Sequence, residues 1–170
     1  MTSGHKILET LDQVPDIFVN AFKYWETQRG SSWAPAWSDF KLQSMPFELL
    51  PWSVVVDVQA DTNDFQYRFW GTRRTELIGK DMTGKTASGI PNPYMRDQNI
   101  EEYVEVCAQQ KPMLFATPAV KESGVGVVFE SIRLPLSDDG TTVTKIYSAM
   151  NYNAIMSDHY EIYDTNPGSI

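Results

Sequence analysis

Between residues 7 and 29 the apolar positions recur at spacings of three and four: Leu8, Leu11 and Val14, then Phe18, Phe22 and Trp25. That period places them on one face and predicts a helix over 7–29, kinked or split at Pro15 and stopped at Gly30. From 31 to 51 the period is lost, because Pro35, Pro46 and Pro51 interrupt it. Yet Trp33, Trp37, Phe40, Met45, Phe47 and Leu50 make this stretch too apolar for a free loop. It is expected to wrap the surface of the domain.

After the wrap the period changes to two. Residues 52–58 and 65–70 read as strands of an antiparallel hairpin joined by the polar turn 60–64. In the second, Phe65, Tyr67 and Phe69 alternate with Gln66, Arg68 and Trp70, which assigns the two sets to opposite faces. Asn92 and Pro93 supply a cap and a favoured first residue for a helix reaching Gln110, with Ile100, Tyr103, Val104 and Cys107 as its inward face and Pro112 as its stop. Cys107 is therefore expected to face the core. Residues 112–121, 125–136 and 143–153 read as three further strands, with Asp138, Asp139 and Gly140 turning between the last two. The order predicts an α+β fold: a five-stranded antiparallel sheet with helices crossing between strands two and three.

With 170 residues, 42% of them apolar, the chain can bury one sizeable core. A net charge of -8, with Arg73 and Arg74 as its only local basic cluster, argues against nucleic acid. No apolar run approaches the roughly 18 residues of a membrane span, and the opening MTSGHKILET has no signal-peptide character, so a cytoplasmic protein is expected. One cysteine excludes an internal disulfide, and His5 and His159 lie too far apart in sequence to suggest a metal site.

Gly79, Gly84, Lys85 and Thr86 match the phosphate-cradling pattern GxxxxGK[ST]. A true cradle follows a buried strand and opens a helix. Here a short helical stretch, 73–78, precedes it, and Gly89, Pro91 and Pro93 follow it. The match is read as a glycine-rich turn.

Residues 67–72 (YRFWGT), followed by Leu77, Ile78 and Gly79 and then Asp81, Met82, Thr83 and Gly84, resemble the second strand and helical turn of PAS domains. More narrowly, Trp25 and Arg29, Pro35 to Asp39, Leu49 to Pro51 and Val54 to Val58 are similar to single-domain bacterial PAS-like sensory proteins. The resemblance covers about 24–153. It divides the chain into an N-terminal helix and wrap (1–51), a PAS-like core (52–153) and a polar tail (154–170). It implies a small-molecule pocket between the sheet and the longer helix, and relay of a signal to a separate protein, since no output segment follows. Residues 81–91 lack the cysteine of a flavin photosensor, and 94–110 lack the axial histidine of a haem sensor. The cofactor is left unassigned, and His159 reads as part of a solvated end.

The side chains best suited to orient a ligand there are Arg68, Tyr94, Arg133 and Tyr147, a few polar groups in a mainly apolar pocket. No catalytic set emerges. Cys107 has apolar helical neighbours, while Glu101 with Glu102 reads as helix-start charge and Asp138 with Asp139 as turn chemistry. Two alternatives stay open: a small cone-shaped isomerase- or cyclase-like enzyme, which requires Asp57 in the pocket with a basic partner, and an interaction module with a filled core. The stripe Leu8, Leu11, Phe18, Phe22 and Trp25 exceeds what one sheet face is expected to cover, which suggests a homodimer.

Overall fold

The computed structural model describes residues 4–151 apart from 62, 121–123 and 125. The polar tail, His159 and the predicted end of the last strand at Asn153 lie outside the described residues. Strands β1 (Gly4–Ile7), β2 (Ser53–Gln59), β3 (Asp64–Trp70), β4 (Met113–Val120), β5 (Gly126–Leu136) and β6 (Lys145–Met150) form one antiparallel sheet in the order β1-β4-β5-β6-β2-β3. Helices α1 (Val19–Arg29), α2 (Thr72–Ile78) and α3 (Pro93–Gln109) complete the α+β fold, with α2 and α3 crossing between β3 and β4.

The sheet has six strands where the sequence predicts five, because the predicted helix over 7–29 begins as something else. Gly4–Ile7 pairs with the edge of β4, Gly4 opposite Ala116 and Ile7 opposite Met113. Two single-turn helices follow, Leu11–Gln13 and Asp16–Phe18, and only then α1. Gln13 Oε1 accepts from the backbone N–H groups of Glu9 and Thr10 at 2.8 and 3.3 Å, which fixes the first turn locally. Pro15, without an N–H, separates the two turns.

Both faces of the sheet are buried. On one, Val55, Ile132, Leu134 and Tyr147 meet Phe18, Phe22 and Trp25 of the N-terminal segment and Phe40, Met45 and Leu49 of the wrap. On the other, Val54, Val56 and Ile146 meet Tyr103 and Val106 of α3 and Met82, Ala87 and Ile90 of the preceding turns. The wrap is pinned by specific bonds: Trp33 Nε1 donates to the Gly140 carbonyl at 2.8 Å, and the Trp37 N–H donates to Asp138 Oδ1 at 2.8 Å. Of the N-terminal stripe, Leu8, Phe18, Phe22 and Trp25 are buried and Leu11 is 37% exposed. Four of the five stripe residues that suggested pairing of two copies are thus inside the domain.

A β-bulge corrects the alternation expected in β3. Val55 lies opposite Phe69 and Val56 opposite Tyr67, so Arg68 is the extra residue. Phe65 and Tyr67 face α3, but past the bulge Phe69 packs on the N-terminal side and Trp70 on the α3 side.

Candidate functional site

α3 starts as its residues dictate: Asn92 Oδ1 accepts from the Met95 N–H at 3.0 Å, and Pro93 occupies the first turn. Its inward face is Gln98, Asn99, Glu102, Tyr103 and Val106. Val104, expected inside, is 52% exposed. The apparent apolar stripe is displaced because three of the five residues on the true inward face are polar. Cys107 is half-buried against the core, and burial pushes its thiol up to about 11.

Between the N-terminal half of α3 and the sheet lies a cavity of about 60 Å³. Its floor is β5 and β6, where period-two alternation sends Arg133 and Ser148 toward α3 while Leu134 and Tyr147 face the other way. Arg133 makes four hydrogen bonds. Its Nε donates to Glu102 Oε2 at 2.9 Å, Nη1 to Ser148 Oγ at 2.9 Å, and Nη2 to Asn99 Oδ1 at 3.0 Å and again to Glu102. Thr117 Oγ1 donates to the second Glu102 oxygen at 2.7 Å, and the guanidinium lies 4.2 Å from the Tyr103 ring centroid. Burial alone would weaken the charge on Arg133, but the Glu102 carboxylate beside it holds it firmly protonated.

A second buried arginine lines the same cavity. Arg74 is the buried residue of α2, and its Nη1 reaches Met150 Sδ at 3.6 Å while its guanidinium lies 5.3 Å from the Trp70 ring centroid. Burial lowers its pKa from the ordinary arginine value. Its Nε has no hydrogen-bond partner among the described residues, and neither have the Tyr67 hydroxyl, Trp70 Nε1 or the Tyr103 hydroxyl.

Of the four sequence-chosen ligand candidates, the structure brings Tyr94 and Arg133 to the cavity. The Tyr94 hydroxyl donates to the Pro118 carbonyl at 2.8 Å at its wall. Arg68 is half-exposed on the opposite side, paired with Asp57 at 2.9 Å and set over Trp37, because alternation turns it away from the face that Phe65 and Tyr67 show to α3. Tyr147 is fully buried among the N-terminal cluster, its hydroxyl 2.8 Å from Ser53 Oγ. Ser53 Oγ donates to the Leu49 carbonyl at 2.7 Å, so the tyrosine is the donor of that pair. With both sheet faces buried, alternation alone could not tell the faces of β6 apart. Sequence reasoning missed Arg74 and Glu102. For Arg74 a signal existed: it stands three and four residues before Leu77 and Ile78, on their side of a helix.

Neither Asp57 nor the glycine-rich match lines the cavity. Asp57 is not at the cavity but in an ion pair with Arg68. The glycine-rich match is a strap along β3: the Gly84 N–H donates to the Tyr67 carbonyl at 2.7 Å, the Lys85 N–H to Met82 at 2.9 Å, and Lys85 Nζ to the Asp81 carbonyl at 3.0 Å. Those donors are spent within the fold. Among the described residues no cluster of three His, Cys, Asp or Glu could hold a metal, and no helix is long and apolar enough to cross a membrane.

A family model described as a PAS domain matches residues 16–151. A comparison with curated proteins finds no match. Among solved structures, the chain is similar to an RNA-binding light-oxygen-voltage receptor at 11% identity, over 92% of this chain and 40% of that one, with a TM-score of 0.45. It is also similar to the N-terminal domain of a diguanylate cyclase with a PAS/PAC sensor from Marinobacter aquaeolei at 14% identity, over 62% of this chain and 99% of that one, TM-score 0.40. A fungal LOV domain photoreceptor matches at 12% identity over 81% and 91% of the two chains, TM-score 0.41.

Proposed function

The chain belongs to the PAS domain family, and from that premise we propose that it is a non-catalytic sensory or regulatory domain that binds a small molecule under α3 and relays its occupancy to a separate cytoplasmic protein. The observation that carries this reading is the cavity itself. A module with a filled core has no reason to hold polar groups such as Arg74 and Tyr94 around a space between α3 and the sheet. The enzyme reading is the weaker one. Glu102, the carboxylate at the cavity, is tied up by Arg133 and Thr117, so it is poorly placed to act as a general base.

Native mass spectrometry of freshly purified protein tests the proposal. The expected spectrum shows the chain with an additional small mass that is lost on denaturation and diminished in Tyr94→Ala. A spectrum of the bare chain, together with no hit in a fragment screen, would count against it.

A further inference from the structure

The cavity holds an imbalance of charge. Three of its lining residues ordinarily carry a charge: Arg74, Glu102 and Arg133. Glu102 and Arg133 neutralise each other at hydrogen-bond distance. Arg74 is left over, 6% exposed and with no ion pair among the described residues. A thioether sulfur at 3.6 Å and an indole face do not balance a guanidinium. Burying such a charge without a counter-ion is costly, and arginine does not escape the cost by losing its proton. Its Nε, a group that can only donate, also faces no acceptor.

We propose that the cavity takes the carboxylate of a short-chain organic acid, with Arg74 as its charge partner. This rests on the small-molecule reading above and names the ligand class. One surplus positive charge matches a carboxylate. A phosphate, bringing roughly 1.5 to 2 negative charges, would leave an excess beside Glu102. The forked guanidinium suits a planar carboxylate. A volume of about 60 Å³ admits only a few non-hydrogen atoms, and Val54, Met95 and Phe129 offer apolar walls for a short hydrocarbon chain.

The test is calorimetric titration and thermal unfolding of the full chain with acetate, propionate and butyrate, against propionamide and inorganic phosphate at matched ionic strength. Binding of at least one acid is expected, with none of the amide. Arg74→Gln should weaken it roughly 10- to 100-fold, the loss of one hydrogen-bonded charge partner. Arg74→Met separates ligand binding from folding: without ligand it should unfold at a higher temperature than wild type, and acids should no longer shift it. Neutralising Asp158, Glu161 and Asp164 together should leave acid binding unchanged. If that triple change instead reproduces the loss at Arg74, the carboxylate belongs to the chain itself and the free-acid proposal falls. Equal binding of propionamide, phosphate binding alone, or acid binding that survives Arg74→Gln would each overturn it too. A neutral molecule found bound by native mass spectrometry would sink the carboxylate while leaving the small-molecule reading intact. No binding of any probe would remove the carboxylate proposal, and an Arg74→Met less stable than wild type would then make Arg74 a structural residue, while the small-molecule reading would still be decided by the native mass spectrum and the fragment screen.

Discussion

Glu102 on α3 and Arg133 on β5 form an ion pair in which the two side chains are 4% and 5% exposed. The pair ties the helix to the middle of the sheet, and it does so across the cavity floor. Replacing Glu102 with Gln strands the Arg133 charge and should cost about 3–5 kcal/mol, whereas Glu102→Leu combined with Arg133→Met should recover most of that. Urea unfolding of the three proteins checks both statements. A single variant as stable as wild type would contradict the geometry.

Phe18 is fully buried against the N-terminal face of the sheet. Phe18→Glu should therefore unfold the protein, not yield a folded monomer, because it buries an unpaired carboxylate at a cost above about 4 kcal/mol. Circular dichroism with sedimentation distinguishes the outcomes. A folded variant that sediments as a smaller species would restore the stripe as an interface between copies.

A Cβ at Gly71 would stand 2.2 Å from the Pro51 carbonyl oxygen. The same residue donates its N–H to the Ser53 carbonyl at 2.8 Å, so the backbone has little room to withdraw. Gly71→Ala should cost roughly 1–3 kcal/mol and displace α2, which carries Arg74. The denaturation midpoint reports the first effect and loss of ligand response the second.

Lys85→Ala should change stability by less than about 0.5 kcal/mol, since its amine meets only a backbone carbonyl on an exposed turn. Titration with ATP should give no heat for either protein. Micromolar binding abolished by the substitution would reinstate the phosphate cradle.

Burial raises the Cys107 thiol from 9.0 to about 11. An acid whose folded pKa is raised favours the native state only while it stays protonated. The unfolded thiol releases its proton first, so the contribution from Cys107 fades as pH climbs from about 9 to about 11. Alkylation by iodoacetamide at pH 8 should accordingly be slow for folded protein and fast in urea. Equal rates would show an accessible, ordinary thiol.

Strands β2 to β6 and α3 were legible to within a few residues because period-two runs, an Asn-Pro start and a proline stop are local signals, whereas β1 was not read. The N-terminal helix was overextended because Leu8 and Val14 have helical spacing but are buried from irregular residues on either side of the first single turn, in the cluster on that face of the sheet. The site was half legible. Tyr94 and Arg133 line the cavity, whereas Arg68 and Tyr147 lie across a sheet covered on both faces, whose alternation does not say which face meets α3. Glu102 stayed hidden because a buried carboxylate looks like a surface one until its partner, 31 residues away, is brought to it.

The strap of Gly84 to Thr86 along β3 has a bearing on how the molecule behaves in a crowded solution. It hydrogen-bonds to Gln66 and Tyr67 on the side that β2 leaves free, so that margin of the sheet is closed over its middle. The opposite margin is β1, four residues long and carrying Lys6. A short, charged strand is a poor template for another chain to extend. The sheet, although rich in valine and aromatic residues, therefore presents little to which a misfolded neighbour could add itself.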